Sequence, residues 1–449
     1  MELFGTAGIR GSAETRVTPS LALDVGRAAG VNGGEFVVGR DGRVTGPALA
    51  AAVEAGLESA GASVVRLGQC PTPALAWASR GRRGVMVTAS HNPPQDNGLK
   101  LFVDGTEYDG SEEGRIEERV AAGAAPAAWD EWGEGTHASV LGDYRAAVAD
   151  YARGHGAAAD GLRVAVDCGN GMGSVATPQV LRALGADVVA LNANVDGHFP
   201  GRPSKPTPET LGDLQAFVAG GEFDLGLAHD GDADRIVALD SEGDVVHEDT
   251  VLAVLAEHYT RTVDVADPVV VTTPNASGRI DDRVEAAGGR VERIHLGALH
   301  EGIAAAREHG GDVVFAAEPW KHIHTEWGSW IDGVTSAAVL ARLVADAGSV
   351  AALTADVQER PYRKVSVDCP DDAKPAVMAA LEDALPETFP EAAVSTEYGV
   401  RLAFDDGSWA LVRPSGTEPY VRVYAESETV DDLVETVVGV VEDAVAATS

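Results

Sequence analysis

The sequence predicts an α/β protein: three similar units with largely parallel sheets, followed by a smaller α+β domain. Three observations predict it: a length of 449 residues, a strand–helix alternation that starts three times, and a change of element order after about residue 360. One hydrophobic core stops growing at roughly 250–300 residues, so a chain of this length divides into domains.

The first unit, 1–140, alternates apolar strands with helical stretches. These are Phe36 to Gly39, Pro47 to Ala60, Ser63 to Leu67, Pro73 to Ser79 and Gly84 to Val87. Strand–helix alternation puts strands side by side and helices on the sheet faces. Gly110 to Thr136 reads as a helix followed by a surface connection. The pattern restarts in 141–245 with a strand from Leu162, a helix over Ala176 to Leu184 and a strand from Asp187, ending near Leu225 to Asp240. A third start in 246–355 has strands at Val269 to Thr272, Val291 to His295 and Asp312 to Phe315. In 356–449 a strand, a helix over Ala373 to Leu385, several strands between Val394 and Tyr424 and an amphipathic helix from Val430 read as a separate α+β domain.

The composition excludes several classes of function. A formal net charge of −36 opposes nucleic acid and anionic membranes, and no stretch approaches the ~20 apolar residues of a membrane span. The amino terminus lacks a signal segment, so a soluble, cytoplasmic protein is expected. Only five lysines occur (Lys100, Lys205, Lys321, Lys364 and Lys374), a balance that resembles proteins of salt-loving organisms. At ~1 M salt the Debye length is about 3 Å, so the negative total does not exclude an anionic ligand held by close cations. Cys70, Cys168 and Cys369 lack metal or redox spacing and read as buried thiols.

Four segments carry chemistry. Asp230-Gly231-Asp232-Ala233-Asp234-Arg235 follows an apolar strand and sets carboxylates at alternate positions, oxygen ligands suited to Mg2+. A solvated acidic turn is the plain alternative, while an EF-hand fails because Arg235 and Ser241 stand where Gly and Glu are needed. Thr88-Ala89-Ser90-His91-Asn92-Pro93 also follows a strand, which puts Ser90 at the carboxyl edge of the sheet. Adjacent residues on an extended segment point apart, so His91 is not expected to turn toward Ser90, and no nucleophile elbow surrounds it. Arg413-Pro414-Ser415-Gly416-Thr417-Glu418 can turn a guanidinium, hydroxyls and backbone N–H groups onto a phosphate, or can be an ordinary hairpin turn. Phe4 to Gly11 adds a glycine-rich turn with Arg10. Gly169 to Gly173 lacks the third glycine of a dinucleotide loop and reads as a structural turn.

Taken in this order, the segments from Phe4, Thr88, Asp230 and Arg413 resemble the α-D-phosphohexomutase superfamily, which includes phosphoglucomutase, phosphomannomutase and phosphoglucosamine mutase, and the chain resembles its archaeal halophilic members. The resemblance implies three related α/β domains with mixed, largely parallel sheets and a smaller fourth domain around a central cleft. It implies that Ser90 is phosphorylated, that Asp230, Asp232 and Asp234 with the serine phosphate hold Mg2+, and that Arg10 and Lys100 surround the transferring phosphoryl group, Lys100 in general acid/base work. It also implies substrate contacts from Arg235 and a phosphate grip from Arg413, Ser415, Gly416 and Thr417, with Arg422 as a helper. The four domains would carry the phosphoserine loop, the metal loop, the sugar loop and the phosphate loop. One region departs. Where the family has Gly-Glu-x-Ser-Gly-His, this chain has Ala317-Glu318-Pro319-Trp320-Lys321-His322. Glu318 and His322 remain, the latter for proton transfer in competition with His324, while Trp320 and Lys321 replace small residues.

The implied activity is an isomerase, an intramolecular phosphotransferase that interconverts hexose 1-phosphate and hexose 6-phosphate through a sugar bisphosphate, which also serves as activator. Phosphoglucosamine mutase and phosphopentomutase are alternatives with the same mechanism, and a metal-dependent sugar phosphatase or a non-catalytic sugar-phosphate sensor are rivals. The expected partner is a phosphosugar, and the enzyme is expected to be a monomer or homodimer.

Overall fold

The computed structural model describes residues 3–5, 8–415 and 419–448. The chain forms two compact units: Met1–Val251 with Val314–Ala355, and Leu252–Val313 with Asp356–Ser449.

In the first unit, the leading sheet runs in the order Ile9–Ser12, Asp96–Val103, Arg83–Val87, Glu35–Arg40, Ser63–Gln69 and Gly135–His137, with Thr106–Glu107 paired to Asp96–Val103. The four strands from Arg83–Val87 to Gly135–His137 are parallel. Asp96–Val103 instead runs back antiparallel beside Arg83–Val87, with Lys100 opposite Met86, and Ile9–Ser12 is antiparallel beyond it, with Arg10 opposite Gly98. The loop that carries Ser90 is therefore the connection of an antiparallel strand pair. Its register places Lys100 on the strand beside the one that leads into Ser90 and Arg10 on the next strand out. The acidic connection after the helix Gly110–Ala121 ends in a short edge strand, which the sequence pattern did not indicate.

The second sheet has the order Val237–Leu239, Leu225–Ala228, Arg163–Asp167, Asp187–Leu191, parallel except for its first strand. The metal-loop segment Asp230–Arg235 connects its two antiparallel strands. Gly169 and Asn170 both have positive φ, and the turn they form donates a bond that ties it to that segment, Met172 N–H to Gly231 O at 2.9 Å. The turn is thus structural, as its missing third glycine implies. Asp312–Glu318 pairs antiparallel with Lys321–Ile323, a short strand absent from the sequence expectation.

In the second unit, Pro268–Thr272 and Arg290–Arg293 pair in parallel. The carboxyl-terminal sheet is wholly antiparallel, in the order Tyr362–Asp368, Tyr420–Glu426, Trp409–Pro414, Val400–Ala403, Ala393–Ser395. Period-two alternation divides its two faces. Val412, Val421, Val423 and Ala425 pack under the helices Lys374–Thr388 and Val430–Thr448, while Lys364, Arg413, Arg422 and Glu426 stand on the opposite face. The fold class is therefore α/β with mixed, mostly parallel sheets and a smaller α+β domain at the end. No helix among the described residues is long and apolar enough to cross a membrane.

A buried ion pair fastens the α+β sheet to the preceding segment of the same unit. Glu426 is fully buried and accepts from Arg279 at 3.0 Å, from Trp409 Nε1 at 2.7 Å and from the Ser277 hydroxyl. Removing one partner of such a pair strands a charge in low dielectric, which costs about 3–5 kcal/mol. Arg279→Ala should destabilise this unit by that amount, read as a lower denaturant midpoint. The double replacement Arg279→Met with Glu426→Gln, which strands no charge, should recover part of it.

Candidate active site

Ser90 sits three residues beyond the strand Arg83–Val87, fully buried, with φ of +50°. A non-glycine residue held there costs about 1–3 kcal/mol, so the surroundings must enforce it. Arg43 does so by spending all five of its N–H donors. Its Nε bonds Asp41 at 3.0 Å, and its two terminal nitrogens bond the carbonyls of Ser90 and Asn92, both at 2.8 Å, and of Pro93 and Asp96 at 2.6 and 2.9 Å. From below, Thr88 Oγ1 accepts from the Ser90 N–H at 2.9 Å. The left-handed backbone also corrects the expectation for His91. The segment is not extended at Ser90, and His91 Nδ1 lies 3.4 Å from Ser90 Oγ. Burial, with Arg235 and Arg10 adding to it, pulls the His91 pKa down to about 2, so this imidazole is neutral and takes no proton from the serine at ordinary pH.

Ser90 Oγ donates instead to Asp230 Oδ2 at 2.7 Å. Asp230, Asp232 and Asp234 are all buried, with one ligand oxygen from each lying within 4.8 Å of the others. The approach of the two loops depends on Gly231, because a Cβ there would lie 2.6 Å from the Ser90 carbonyl. Ala233, at φ of +61°, turns the chain so that alternate carboxylates face one centre. Arg202 holds the entry to this loop, donating to Asp167 Oδ2 and to the His229 carbonyl, both at 2.6 Å.

The protein organises one side of each carboxylate. Thr72 Oγ1 donates to Asp232 Oδ2 at 2.6 Å, Lys100 Nζ to Asp234 Oδ2 at 2.9 Å, and the Arg235 N–H to Asp230 Oδ1 at 3.3 Å. Asp232 Oδ1 and Asp234 Oδ1 are buried with no hydrogen-bond partner. Burial, and then the neighbouring Asp234 and Asp232, push the Asp230 carboxyl well above the usual range. Burial also opposes charge on Asp234, yet Lys100, Arg235 and Lys321 outweigh it and hold that carboxyl well below the usual range. Two orphaned oxygens in an all-oxygen, acid-rich cage fit a hard divalent cation such as Mg2+.

Lys100 is 2% exposed and also reaches Glu107 at 3.2 Å. Burial works against its charge, but Asp234, Glu107 and Asp232 overcome it and raise its pKa above that of an ordinary lysine. Arg10 faces the same group, since its charge acts on both Lys100 and His91, and its Nε is buried without a partner. Ser90, the three aspartates, Lys100, Arg235 and Arg10 are therefore brought together.

The departing segment reaches this cluster through its backbone. Trp320, at φ of +70°, accepts from Ile236 N at 3.1 Å, and Lys321 forms a β-bridge with Arg235. Glu318 receives Lys321 Nζ at 3.2 Å. His322 and His324 are almost wholly buried rings that share the Ser336 hydroxyl, through His322 Nδ1 at 3.1 Å and His324 Nε2 at 2.8 Å, and both lie against Phe315. Burial lowers the His322 pKa to about 3, and its Nε2 has no partner.

In the second unit, Arg413 and Arg422 stand directly opposite each other on neighbouring strands. Like charges so paired repel and invite an anion. Arg413 bonds the Tyr424 hydroxyl at 3.1 Å, Arg422 bonds that of Tyr420 at 2.8 Å, and Lys364 Nζ lies 5.6 Å from the centre of the Tyr424 ring. Ser415 is buried, its carbonyl accepting from Lys374 at 2.7 Å. Gly416 and Thr417 lie outside the described residues.

Sequence reasoning missed Arg43, Asp41, Arg202 and Lys364. Arg43 and Arg202 act mainly on backbone carbonyls of other loops, Asp41 accepts from Arg43 and the Thr88 hydroxyl, and Lys364 needs the strand register to join Arg413. Scarcity was the one available signal, since a lysine is unusual in this chain.

Comparisons with known proteins agree with this geometry. Profiles of the phosphoglucomutase/phosphomannomutase family match residues 1–126 as alpha/beta/alpha domain I, 143–243 as alpha/beta/alpha domain II and 365–443 as the C-terminal domain. A phosphopentomutase of Thermococcus kodakarensis is 43% identical, covering 96% of this chain and 94% of its own. A probable phosphoglucosamine mutase of Methanopyrus kandleri is 42% identical over 95% and 94%. The crystal structure of a phosphoglucomutase/phosphomannomutase family protein from Burkholderia thailandensis superposes with a TM-score of 0.85 at 26% identity, covering 99% of this chain and 97% of that one. The chain belongs to the phosphoglucomutase/phosphomannomutase family of the α-D-phosphohexomutase superfamily, and is an isomerase of the intramolecular phosphotransferase kind.

The aspartate cage makes cation binding visible in stability. A ligand present at 100 times its Kd stabilises the native state by about 2.7 kcal/mol. Adding Mg2+ to EDTA-treated protein should raise the thermal midpoint, and Asp232→Asn should remove most of that rise; equal shifts in both proteins would place the ion elsewhere.

Proposed function

We propose that this enzyme interconverts a sugar 1-phosphate and the isomer phosphorylated on the terminal hydroxyl, hexose 1-phosphate and 6-phosphate in the first instance, through phospho-Ser90 and a sugar bisphosphate. The observation that supports this most is the buried Ser90 Oγ, 2.7 Å from Asp230 at the head of the carboxylate cage. A serine hydroxyl alone is a poor nucleophile, and its imidazole neighbour His91 is too weak a base to activate it as in a hydrolase. As a carrier it needs no such base, because phosphoryl transfer is governed by alignment and charge neutralisation.

In the first half-reaction the bond from phosphorus to Ser90 Oγ breaks as one forms to the free sugar hydroxyl. Lys100, held as an ammonium by Asp234 and Glu107, gives a proton to the departing Oγ and regains one from the incoming hydroxyl. Arg10 and Arg235 offset charge on the transferring oxygens. Mg2+ on Asp230, Asp232, Asp234 and a phosphoserine oxygen would add a further fixed positive charge at those oxygens. The bisphosphate then reverses, and Ser90 Oγ takes the phosphoryl group from its other end. Glu318 and the unpartnered His322 Nε2 read sugar hydroxyls, and the Arg413 loop, with Ser415, Gly416, Thr417 and Arg422, grips the idle phosphate. A trace of sugar bisphosphate loads Ser90 at the start. The three free, buried thiols suit the reducing cytoplasm.

Ser90→Ala should lower interconversion more than about a thousandfold while the far-UV signal and melting stay close to wild type. Phosphate release without isomer formation by the wild-type enzyme would overturn the mutase reading. Arg413→Ala should raise KM for the sugar phosphate by about 10- to 100-fold with a smaller fall in kcat, measured by initial rates in high salt.

A further inference from the structure

The relatives divide between names that imply a neutral sugar and names that imply an amino sugar, and the segment Glu318 to Lys321 bears on that choice. Glu318 is the one carboxylate of the sugar loop, and it already receives an ammonium, Lys321 Nζ, at 3.2 Å. The placement of Lys321 is fixed by backbone: Trp320 O accepts from Ile236 N, and Lys321 bridges Arg235, the residue that follows the aspartate cage. Its side chain is only 15% exposed, and its bridge to Arg235 sets it one residue along from Asp234, to which Lys100 is bonded. Lys100, Arg10 and Arg235 surround the same ground.

We propose that Lys321 makes this enzyme select neutral sugar phosphates over amino sugar phosphates, by occupying on Glu318 the place that a substrate ammonium would take. The inference rests on the mutase reading above, in which Glu318 faces the sugar. A bound amino sugar would bring a second ammonium to a carboxylate already paired, among three further cationic side chains, and like-charge juxtaposition of that kind discriminates strongly. The contact survives high salt, since the pair is largely buried and its 3.2 Å separation is comparable with the ~3 Å Debye length at ~1 M. A neutral sugar loses nothing by it, because Glu318 and the Lys321 N–H groups can still meet hydroxyls.

The test uses the full chain with Mg2+ and a trace of sugar bisphosphate. Initial rates are measured on glucose, ribose, glucosamine and N-acetylglucosamine 1-phosphates, and equilibrium binding is measured on the same panel. The wild type should favour the better of glucose and ribose 1-phosphate over glucosamine 1-phosphate by at least about tenfold in kcat/KM. Lys321→Met, which keeps the stem and removes its ammonium from Glu318, should narrow that ratio about tenfold by raising glucosamine turnover, a gain that misfolding cannot produce; Lys321→Arg should keep the wild-type ratio. N-acetylglucosamine 1-phosphate, bulky at the same carbon but uncharged, should not gain with Lys321→Met. A wild type that handles glucosamine 1-phosphate as well as the best neutral sugar, or a Lys321→Met ratio unchanged in rate and binding, overturns the proposal. If no sugar is isomerised at all, the mutase reading has failed, and the binding ratios of wild type and Lys321→Met still decide the role of Lys321.

Discussion

Three carboxylates buried within 4.8 Å of one another are the constraint that the rest of the first unit answers to. Such a group cannot be left alone in low dielectric: the charges repel, and burial raises the cost of each. The protein answers in two ways. Side-chain donors from three different segments (Thr72, Ser90 and Lys100) cover one oxygen apiece. Two further oxygens, on Asp232 and Asp234, are left without donors, which is sensible only where a cation completes the set. The same local arrangement thus fixes the serine, charges the lysine and defines the ion site.

That arrangement also explains where strain is tolerated. Ser90, Ala233 and Trp320 all adopt left-handed backbone, and each belongs to one of the three segments that meet here. The compensation comes from side chains that never touch the reacting atoms. Arg43 replaces the missing ladder bonds of the serine loop by binding four carbonyls, and Arg202 does the same for the residue before Asp230. Arginine suits both posts because its fork of five donors stays charged at any working pH.

The sequence made the architecture legible wherever period and punctuation agree. Strands such as Phe36 to Gly39 and Val269 to Thr272 are continuous apolar runs bounded by turns, and they appear within a residue or two of their expected limits. The Asp230 loop could be read because alternate carboxylates have a direct chemical meaning. Short edge strands such as Gly135–His137 and Lys321–Ile323 could not, since three residues carry no period and are set by tertiary pairing. Nor could the direction of His91, which depends on a single backbone angle at Ser90. Arg43 was illegible for a third reason: its partners are carbonyls about fifty residues away, and carbonyls leave no mark in a sequence.

The acidic composition sharpens the use of the few lysines. In a chain of formal charge −36, lysine is a costly choice only if it breaks a surface of hydrated acids, and no cost arises where it serves an anion. Of the five, Lys100 meets the aspartate cage, Lys321 meets the sugar-loop carboxylate, Lys364 lies over the Tyr424 ring whose hydroxyl Arg413 bonds, and Lys374 meets the Ser415 carbonyl. Salt at high concentration would screen a diffuse field, so the attraction for a phosphorylated sugar has to come from cations in contact range. On the proposed function, four of five lysines stand at segments that would meet phosphate or sugar, which is how a protein of overwhelmingly negative charge would bind an anion.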